Sequence, residues 1–260
     1  MLSYQHIYHA GNLADVHKHA LLAWVLNYMT RKDKPLCYLE THAGRALYDL
    51  SSAEAIKTGE AAKGIEIARD WFGADHPYRQ VLDAVTAAEG AGRYPGSPRV
   101  ASELLRKGDK QHLAELHPQE AQALRAAMAG RGAKVHVQDG FEMALSLAPP
   151  EPRRGLLLID PSYEIKSDYS RIPGIIGNIH RKWNVGVIAL WYPILTEAPH
   201  RPMLAALERQ ALPGAVRHEV RFPPAREGHR MVGSGLFVVN APYGFDAEAA
   251  QLAARFASLR

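Results

Sequence analysis

The sequence predicts an α/β fold: a mostly parallel, doubly wound sheet with helices on both faces. The main observation is a short apolar run that recurs along the chain, followed each time by a polar turn and then by a helix-like stretch. Continuous apolar runs of this length are typical of strands that are buried on both faces. The runs occupy residues 36–39, 112–116, 135–137, 156–159 and 185–190. Because ligands of such sheets bind at the carboxyl ends of the strands, we expect the functional site there.

Helix start and stop signals lie between these runs. Ser97-Pro98 predicts the start of a helix with the serine as N-cap, and Gly108 predicts its end. Pro118 predicts the start of another helix, which stops at Gly130. Apolar residues at helical spacing also predict a core-packing helix over residues 12–29.

Two other segments depart from the simple alternation. Residues 51–92 contain Ala-rich helical stretches without a convincing strand, so we expect a small helical insertion there, within a single domain of residues 1–260. Near the C-terminus, residues 216–222 and 236–240 predict two strands joined by a polar loop. These two strands are expected to form an antiparallel pair at the end of the sheet.

Composition excludes several classes of protein. Of the 260 residues, 47% are hydrophobic and 22% are charged, as in an ordinary globular domain. The single cysteine, Cys37, excludes an intrachain disulfide and a cysteine-based zinc cage. The N-terminus does not resemble a signal peptide, and the apolar run at 20–26 is too short to cross a bilayer. We therefore expect a cytoplasmic protein without a membrane partner. The net charge of +4 weakly favours an anionic partner.

Polar or small residues follow the predicted strands. Glu115 ends the second strand, where an acid can accept both hydroxyls of a ribose, although a lone acid there is more often exposed or a helix cap. Asp139-Gly140 ends the third strand and can hold the edge of an adenine ring, or form a simple turn. Residues 41–44 follow the first strand with small side chains that let a ligand approach the backbone. The chain has neither G-x-G-x-x-G nor G-x-x-x-x-G-K-[ST], which disfavours a dinucleotide enzyme and a P-loop nucleotidase.

The most informative motif is Asp160-Pro161-Ser162-Tyr163, directly after the most apolar strand. The lone pair of an adenine amine is delocalised into the ring, so the amine is a poor nucleophile until acceptors orient its N–H groups. The Asp160 carboxylate and the Pro161 carbonyl can be those acceptors, and Tyr163 can stack on an extruded base. Transfer of a methyl group from a sulfonium to such an amine needs no metal. The alternative is a strand followed by an ordinary Asp-Pro turn.

A set of short blocks extends over nearly the whole chain. They are Leu2-Ser3-Tyr4-Gln5-His6, His9-Ala10-Gly11-Asn12, Asp15-Val16-His17-Lys18-His19, Thr41-His42-Ala43-Gly44, Tyr94-Pro95-Gly96-Ser97-Pro98, Glu115-Leu116-His117-Pro118, Asp139-Gly140, Asp160-Pro161-x-Tyr163, Leu190-Trp191-Tyr192-Pro193 and Ser234-Gly235. In this order they resemble the bacterial 23S ribosomal RNA adenine-N6 methyltransferases, the family that modifies adenine 2030. Each block is modest, but the ordered set is specific.

The resemblance implies a class I S-adenosylmethionine-dependent methyltransferase fold, a Rossmann-like sheet with a small helical insertion. It also implies transfer of a methyl group from S-adenosylmethionine to N6 of an adenine in 23S rRNA. The residues implied around the cofactor are Lys18, His19, His42, Ser97, Glu115, Asp139, Gly140 and Asp160. Tyr4 and His6 would approach the target adenine. Asp160 would be the catalytic acceptor, with the Pro161 carbonyl beside it and Tyr163 as the stacking platform.

Two residues depart from the family pattern. Ser162 stands where the family usually has a second proline, which removes a rigid backbone restraint but leaves the acceptors in place. Arg45 stands in a turn where the family is richer in glycine, and it either crowds the cofactor pocket or points to solvent.

Contacts to RNA phosphates are expected from the loop that contains Arg226, His229 and Arg230. The other candidates are Arg153, Arg154, Lys57 and Lys63, although each is by default a solvated surface charge. Nothing in the sequence requires a dimer, so a monomer is expected.

Three alternatives share these motifs: an N6-adenine DNA methyltransferase, a protein glutamine methyltransferase, and a catalytically silent RNA-binding protein of the same fold. The chain lacks a large target-recognition domain, which argues against a sequence-specific DNA enzyme. Ser162 and Arg45 are the only support for the silent protein.

Overall fold

The structure, a computed structural model, describes residues 5–226 and 228–259. Nine strands lie along the described chain: β1 Cys37–Glu40, β2 Leu47–Asp49, β3 Arg93–Pro95, β4 Lys110–Ala114, β5 Ala133–His136, β6 Gly155–Ile159, β7 Val187–Leu195, β8 Val216–Arg221 and β9 Met231–Val239. The helices are α1 Leu13–Thr30, α2 Ala53–Thr58, α3 Glu60–Lys63, α4 Ile65–Ala68, α5 Pro77–Glu89, α6 Ser97–Leu104, α7 Pro118–Ala127, α8 Gly140–Leu147, α9 Asp168–Lys182, α10 His200–Glu208 and α11 Phe245–Ala257. Single 3-10 turns cover His6–Tyr8 and Arg69–Trp71.

Seven strands form the central sheet in the order β5-β4-β1-β6-β7-β9-β8. The first five are parallel, and β9 is antiparallel to both of its neighbours. The chain winds outward from β1 through β4 and β5, then returns to the other side of β1 with β6, so the switch point lies between β1 and β6. This order is that of class I S-adenosylmethionine-dependent methyltransferases, which confirms the predicted fold class.

Burial explains why the central strands are continuous apolar runs. Every residue of β1 and β6 is buried, because helices cover both faces of the sheet. Leu156 and Leu158 face one hydrophobic cluster, whereas Leu157 and Ile159 face another. The alternation places one side chain in each cluster in turn.

Helix α1 combines the predicted core packing with buried charges. Asn12 caps it by accepting a hydrogen bond from the backbone N–H of Asp15 at 2.9 Å. The helix packs against α5, α6 and β9. Its N-terminal half also buries Asp15 and Lys18, charged groups that a purely structural helix would leave in solvent.

Strand β7 is longer than the sequence predicts. The apolar run at 185–190 was expected to end in a turn at Trp191, but the strand continues to Leu195. Antiparallel pairing with β9 extends it, with Trp191 opposite Leu236 and Pro193 opposite Ser234. On its other side, pairing with β6 stops at Leu190, so the missing N–H of Pro193 costs no ladder hydrogen bond there.

The helices α2–α5 follow β1 and lie between the short antiparallel strands β2 and β3. The sequence does not predict this two-stranded sheet, since neither strand has an apolar run. The predicted bounds of α6 are also wrong. Its N-cap is Gly96 rather than Ser97, and the helix ends at Leu104, before Gly108. Among the described residues, no helix is long and apolar enough to cross a membrane.

Candidate active site

A cavity of about 830 Å³ lies at the carboxyl ends of β1, β4 and β6. Its walls come from the loops that follow these strands, from the start of α1 and from the loop before β9. The predicted site residues that line it are His6, Lys18, His19, His42, Ser97, Glu115, Asp139, Gly140, Asp160, Pro161, Tyr163, Arg226 and Arg230. Tyr4 lies outside the described residues.

A buried charge cluster forms the floor of the cavity. The Lys18 ammonium lies 2.6 Å from Asp160 Oδ2 and 3.1 Å from Asp15 Oδ1. Burial alone would lower the pKa of Lys18, but these two carboxylates hold it above its ordinary value. In spite of burial, the charges of His6 and Lys18 hold the pKa of Asp15 well below its usual range. The lysine is therefore charged, and it joins α1 to the turn after β6.

Two histidines beside this cluster are neutral. Burial lowers the pKa of His19 to about 3, against the opposing effect of Asp15, and its Nδ1 lies 2.8 Å from the Tyr94 hydroxyl. Burial likewise lowers the pKa of His42 to about 4. The Nδ1 of His42 lies 2.7 Å from Thr41 Oγ1. Both rings can therefore donate and accept one hydrogen bond each at physiological pH.

Glu115 and Asp139 face the opposite side of the cavity. The two carboxylate oxygens of Glu115 accept from the backbone N–H groups of Gly44 and His117, at 2.9 and 2.8 Å. Asp139 caps α8 with Oδ1, which accepts from Phe141 and Glu142. The described bonds to Asp139 thus use Oδ1 alone, and Oδ2 remains available to a ligand.

Gly140 allows α8 to approach the turn after β1. A Cβ added at this position would lie 1.8 Å from the Thr41 carbonyl oxygen, closer than any real contact. Glycine therefore brings the N-terminus of α8 and the Asp139 carboxylate into the cavity.

These groups fit S-adenosylmethionine, the cofactor that the fold class implies. Two carboxylates at neighbouring strand ends are suited to ribose hydroxyls and to the amine of an adenine ring. Leu116 and Phe141 also line the cavity and supply apolar surface for the ring. The charge pair of Lys18 and Asp160 lies across the cavity, where the amino-acid part of the cofactor would be accommodated.

Glu40, which sequence reasoning missed, lies behind the cavity wall and binds the cavity-lining Ser97. It is fully buried at the end of β1, where its carboxylate accepts from Ser97 Oγ at 2.5 Å and from the Tyr38 hydroxyl at 2.8 Å. Burial raises its pKa to about 8, although both hydrogen bonds act in the opposite direction. Ser97 thus bonds to Glu40 instead of capping α6 as expected. The available signal was its position: Glu40 ends the first strand, just as the predicted site residue Glu115 stands at the end of a later one.

The segment Asp160-Pro161-Ser162-Tyr163 forms the turn after β6. Tyr163 adopts a left-handed backbone conformation, with φ of 58°. Its hydroxyl donates to the Trp191 carbonyl at 2.7 Å, and its ring stacks on Tyr169 with centroids 4.5 Å apart. Tyr163 has only 8% of its surface exposed, which is less than we expect of a ring on which a base stacks. Its ring is held rigidly, and Trp191 beside it also lines the cavity.

The remaining candidates separate into two groups. Arg226 and Arg230 are exposed at the mouth of the cavity. Arg45 does not line the cavity, because its guanidinium forms an ion pair with Glu120. The guanidinium of Arg154 binds the carbonyls of Met29 and Lys34 at the amino end of β6, opposite the cavity, and its phosphate contact stays a prediction.

Lys63 and Lys57 do not line the cavity. The Lys63 ammonium donates to the Ala225 carbonyl at 2.6 Å, so it joins α3 to the loop between β8 and β9. Lys57 is exposed on α2.

The sheet order and the cavity at its switch point define a class I S-adenosylmethionine-dependent methyltransferase. A family model described as "Ribosomal RNA large subunit methyltransferase D, RlmJ" matches residues 33–258. The chain belongs to this family.

Individual relatives agree with that membership. The ribosomal RNA large subunit methyltransferase J of Escherichia coli is 38% identical over 94% of this chain and 88% of its own length. The protein of the same name from Haemophilus influenzae is 35% identical over 95% of this chain and 90% of its own length. The crystal structure of protein LPL1258 from Legionella pneumophila is 36% identical, with a TM-score of 0.87 over 96% of this chain and 94% of that chain.

Proposed function

We propose that this protein transfers the methyl group of S-adenosylmethionine to N6 of one adenine in 23S rRNA, of the position-2030 type. The observation that carries the proposal is the turn after β6, where Asp160 and Pro161 line a cavity that fits the cofactor. The ribosomal RNA methyltransferases that this chain resembles supply the substrate class.

Asp160 can orient the amine without acting as a strong base. Lys18 occupies its Oδ2 at 2.6 Å, which leaves Oδ1 to accept one N–H of the adenine amine. The Pro161 carbonyl can accept the second N–H, so that the nitrogen lone pair points into the cavity. When bound, S-adenosylmethionine supplies a methyl group on a positively charged sulfur. The Asp160 carboxylate also stabilises the positive charge that develops on the amine.

An adenine must leave its stack to reach these acceptors. Trp191 and Tyr163 are rigid aromatic groups beside Asp160 and can enclose the extruded ring. Arg226 and Arg230 line the cavity and are exposed, so they can contact flanking phosphates, which supports RNA as the partner. For the protein as a whole we further propose a cytoplasmic monomer.

The test is methylation with isotopically methyl-labelled S-adenosylmethionine, followed by digestion and mass spectrometry of the nucleosides. Unmodified 23S rRNA and duplex DNA serve as substrates for the wild type, Asp160→Ala and Asp33→Ala, the last an exposed acid outside the cavity. We expect labelled N6-methyladenosine in RNA with the wild type and Asp33→Ala only. Label in DNA would reassign the acceptor to an adenine in DNA. Cofactor binding without transfer to either nucleic acid would contradict the RNA assignment for this substrate and point to an assembly intermediate or to protein glutamine. Absence of both transfer and cofactor binding would favour a catalytically silent protein of the same fold.

A further inference from the structure

A chain of hydrogen bonds runs from the cavity wall to His218 on β8. The Trp191 indole nitrogen lies 2.9 Å from Ser234 Oγ, which lies 2.8 Å from Nδ1 of His17. Nε2 of His17 lies 2.9 Å from Nδ1 of His218. Ser234 and His17 are completely buried, so these groups have no access to water. The chain connects β7, β9, α1 and β8.

The first bond of the chain has a fixed direction. An indole N–H only donates, so Ser234 accepts from Trp191. Burial and the neighbouring His218 hold the pKa of His17 well below its usual value, so His17 is neutral at physiological pH. A neutral imidazole donates from one ring nitrogen and accepts at the other, and both nitrogens of His17 have a partner, in Ser234 and in His218.

One end of this chain is Trp191, which contacts both Lys18 and Tyr163. The Lys18 ammonium lies 5.3 Å from the centroid of the Trp191 ring, and the Trp191 carbonyl accepts from Tyr163. Pairing with Leu236 fixes only the backbone of Trp191. The indole torsions are restrained by the hydrogen bond to Ser234. A buried polar network that is fully satisfied specifies one geometry where apolar packing would permit several.

We propose that Ser234 and His17 are positioning residues for methyl transfer, which hold the Trp191 indole as a fixed wall for the acceptor adenine between Lys18 and Tyr163. The inference rests on the proposed function for the identity of the acceptor. It assigns no contact with substrate to Ser234 or His17. Both act through Trp191.

The experiment observes the indole N–H groups of the ¹⁵N-labelled protein by NMR. The chain has four tryptophans, and Trp191→Phe assigns the Trp191 resonance. In Ser234→Ala we expect this resonance to move and its hydrogen exchange to accelerate at least tenfold. The loss of one hydrogen bond predicts a kcat on 23S rRNA that is roughly fivefold to tenfold lower. The Kd for S-adenosylmethionine should stay within twofold. His17→Phe keeps an aromatic ring but interrupts the chain one bond further on, so the same changes are expected at smaller size.

Tyr192→Phe is the matched control, because it removes a buried hydroxyl that donates to Glu219 from the residue next to Trp191. It should leave both the Trp191 resonance and kcat unchanged. The proposal is overturned if Ser234→Ala leaves the resonance and kcat at wild-type values, or if Tyr192→Phe lowers kcat equally. Since the resonance is measured without RNA, an inactive wild type with a responsive Trp191 would reject the proposed function alone. An active wild type with an unresponsive Trp191 would reject the positioning role alone.

Discussion

At the scale of single residues, the positive charge of Lys18 compensates two carboxylates that would otherwise repel each other. Its ammonium is shared between the buried carboxylate of Asp15 and the partly buried carboxylate of Asp160, 3.1 and 2.6 Å away. Removing one member of a buried ion pair leaves its partner uncompensated in a medium of low dielectric constant. The cost is therefore a loss of stability as well as a loss of geometry at Asp160.

Lys18→Met is expected to lower the free energy of unfolding by about 3 kcal/mol, the usual cost of breaking a buried pair. Urea denaturation at pH 7 measures this. Lys57→Met, which changes an exposed lysine on α2, should shift the free energy by less than about 0.5 kcal/mol. A Lys18→Met protein as stable as the wild type would show that Asp15 and Asp160 do not depend on this charge.

Glu40 predicts a pH dependence of stability. Burial raises its folded-state pKa to about 8 from an ordinary value of 4.5, so the native state binds a proton that the unfolded state releases between these values. Its contribution to stability is full below about pH 4.5 and is lost as the pH rises to about 8. Glu40→Gln should weaken the decline in unfolding free energy between pH 5 and pH 8. Denaturant titrations at four pH values measure the slope, with the exposed Glu54→Gln as control. Equal slopes for Glu40→Gln and the wild type would contradict the prediction.

At the scale of elements, the site depends on the contact between α8 and the turn after β1. Gly140→Ala places a Cβ 1.8 Å from the Thr41 carbonyl, so the start of α8 and Asp139 must move. We expect the affinity for S-adenosylmethionine, measured by calorimetry, to fall at least tenfold. Gly174→Ala in α9 is the control, since nothing lies within 4 Å of its added Cβ. There, alanine should be neutral or stabilise the helix by up to about 1 kcal/mol. Unchanged affinity in Gly140→Ala would show that the contact does not position Asp139.

The elements also show what sequence reasoning can reach. Apolar runs predicted β1, β4, β5 and β6, because burial on both faces leaves a local signal. The extension of β7 through Trp191 depends on pairing with Leu236 and Ser234, about 45 residues away along the chain, and no local pattern reports it. Ser97 shows the same difficulty at the site: a serine before a proline favours a cap locally, yet its hydroxyl binds Glu40. Motif order located the cavity residues, whereas their hydrogen-bond partners required the fold.

At the scale of the whole molecule, the arginines differ in where they lie relative to the cavity. Arg226 and Arg230, in the loop between β8 and β9, lie at its mouth, whereas Arg154 and Arg106 bind backbone carbonyls at the opposite edge of the sheet. Under the proposed function, only the first group lies where RNA would enter the cavity. The net charge of +4 alone does not show this.

The salt dependence of RNA binding follows from this arrangement. Each phosphate contact that is lost should reduce the slope of log K against log salt by about 0.7 to 0.9. Arg226→Ala with Arg230→Ala should therefore flatten the slope by about 1.5, measured by fluorescence anisotropy with a labelled 23S rRNA fragment. Arg31→Ala, an exposed arginine just beyond the C-terminal end of α1, is the control and should leave the slope unchanged. If both variants flatten the slope equally, binding is a property of net charge rather than of the cavity mouth. A flattened slope in the double variant alone would place the phosphates at the mouth of the cavity, as the proposed function requires.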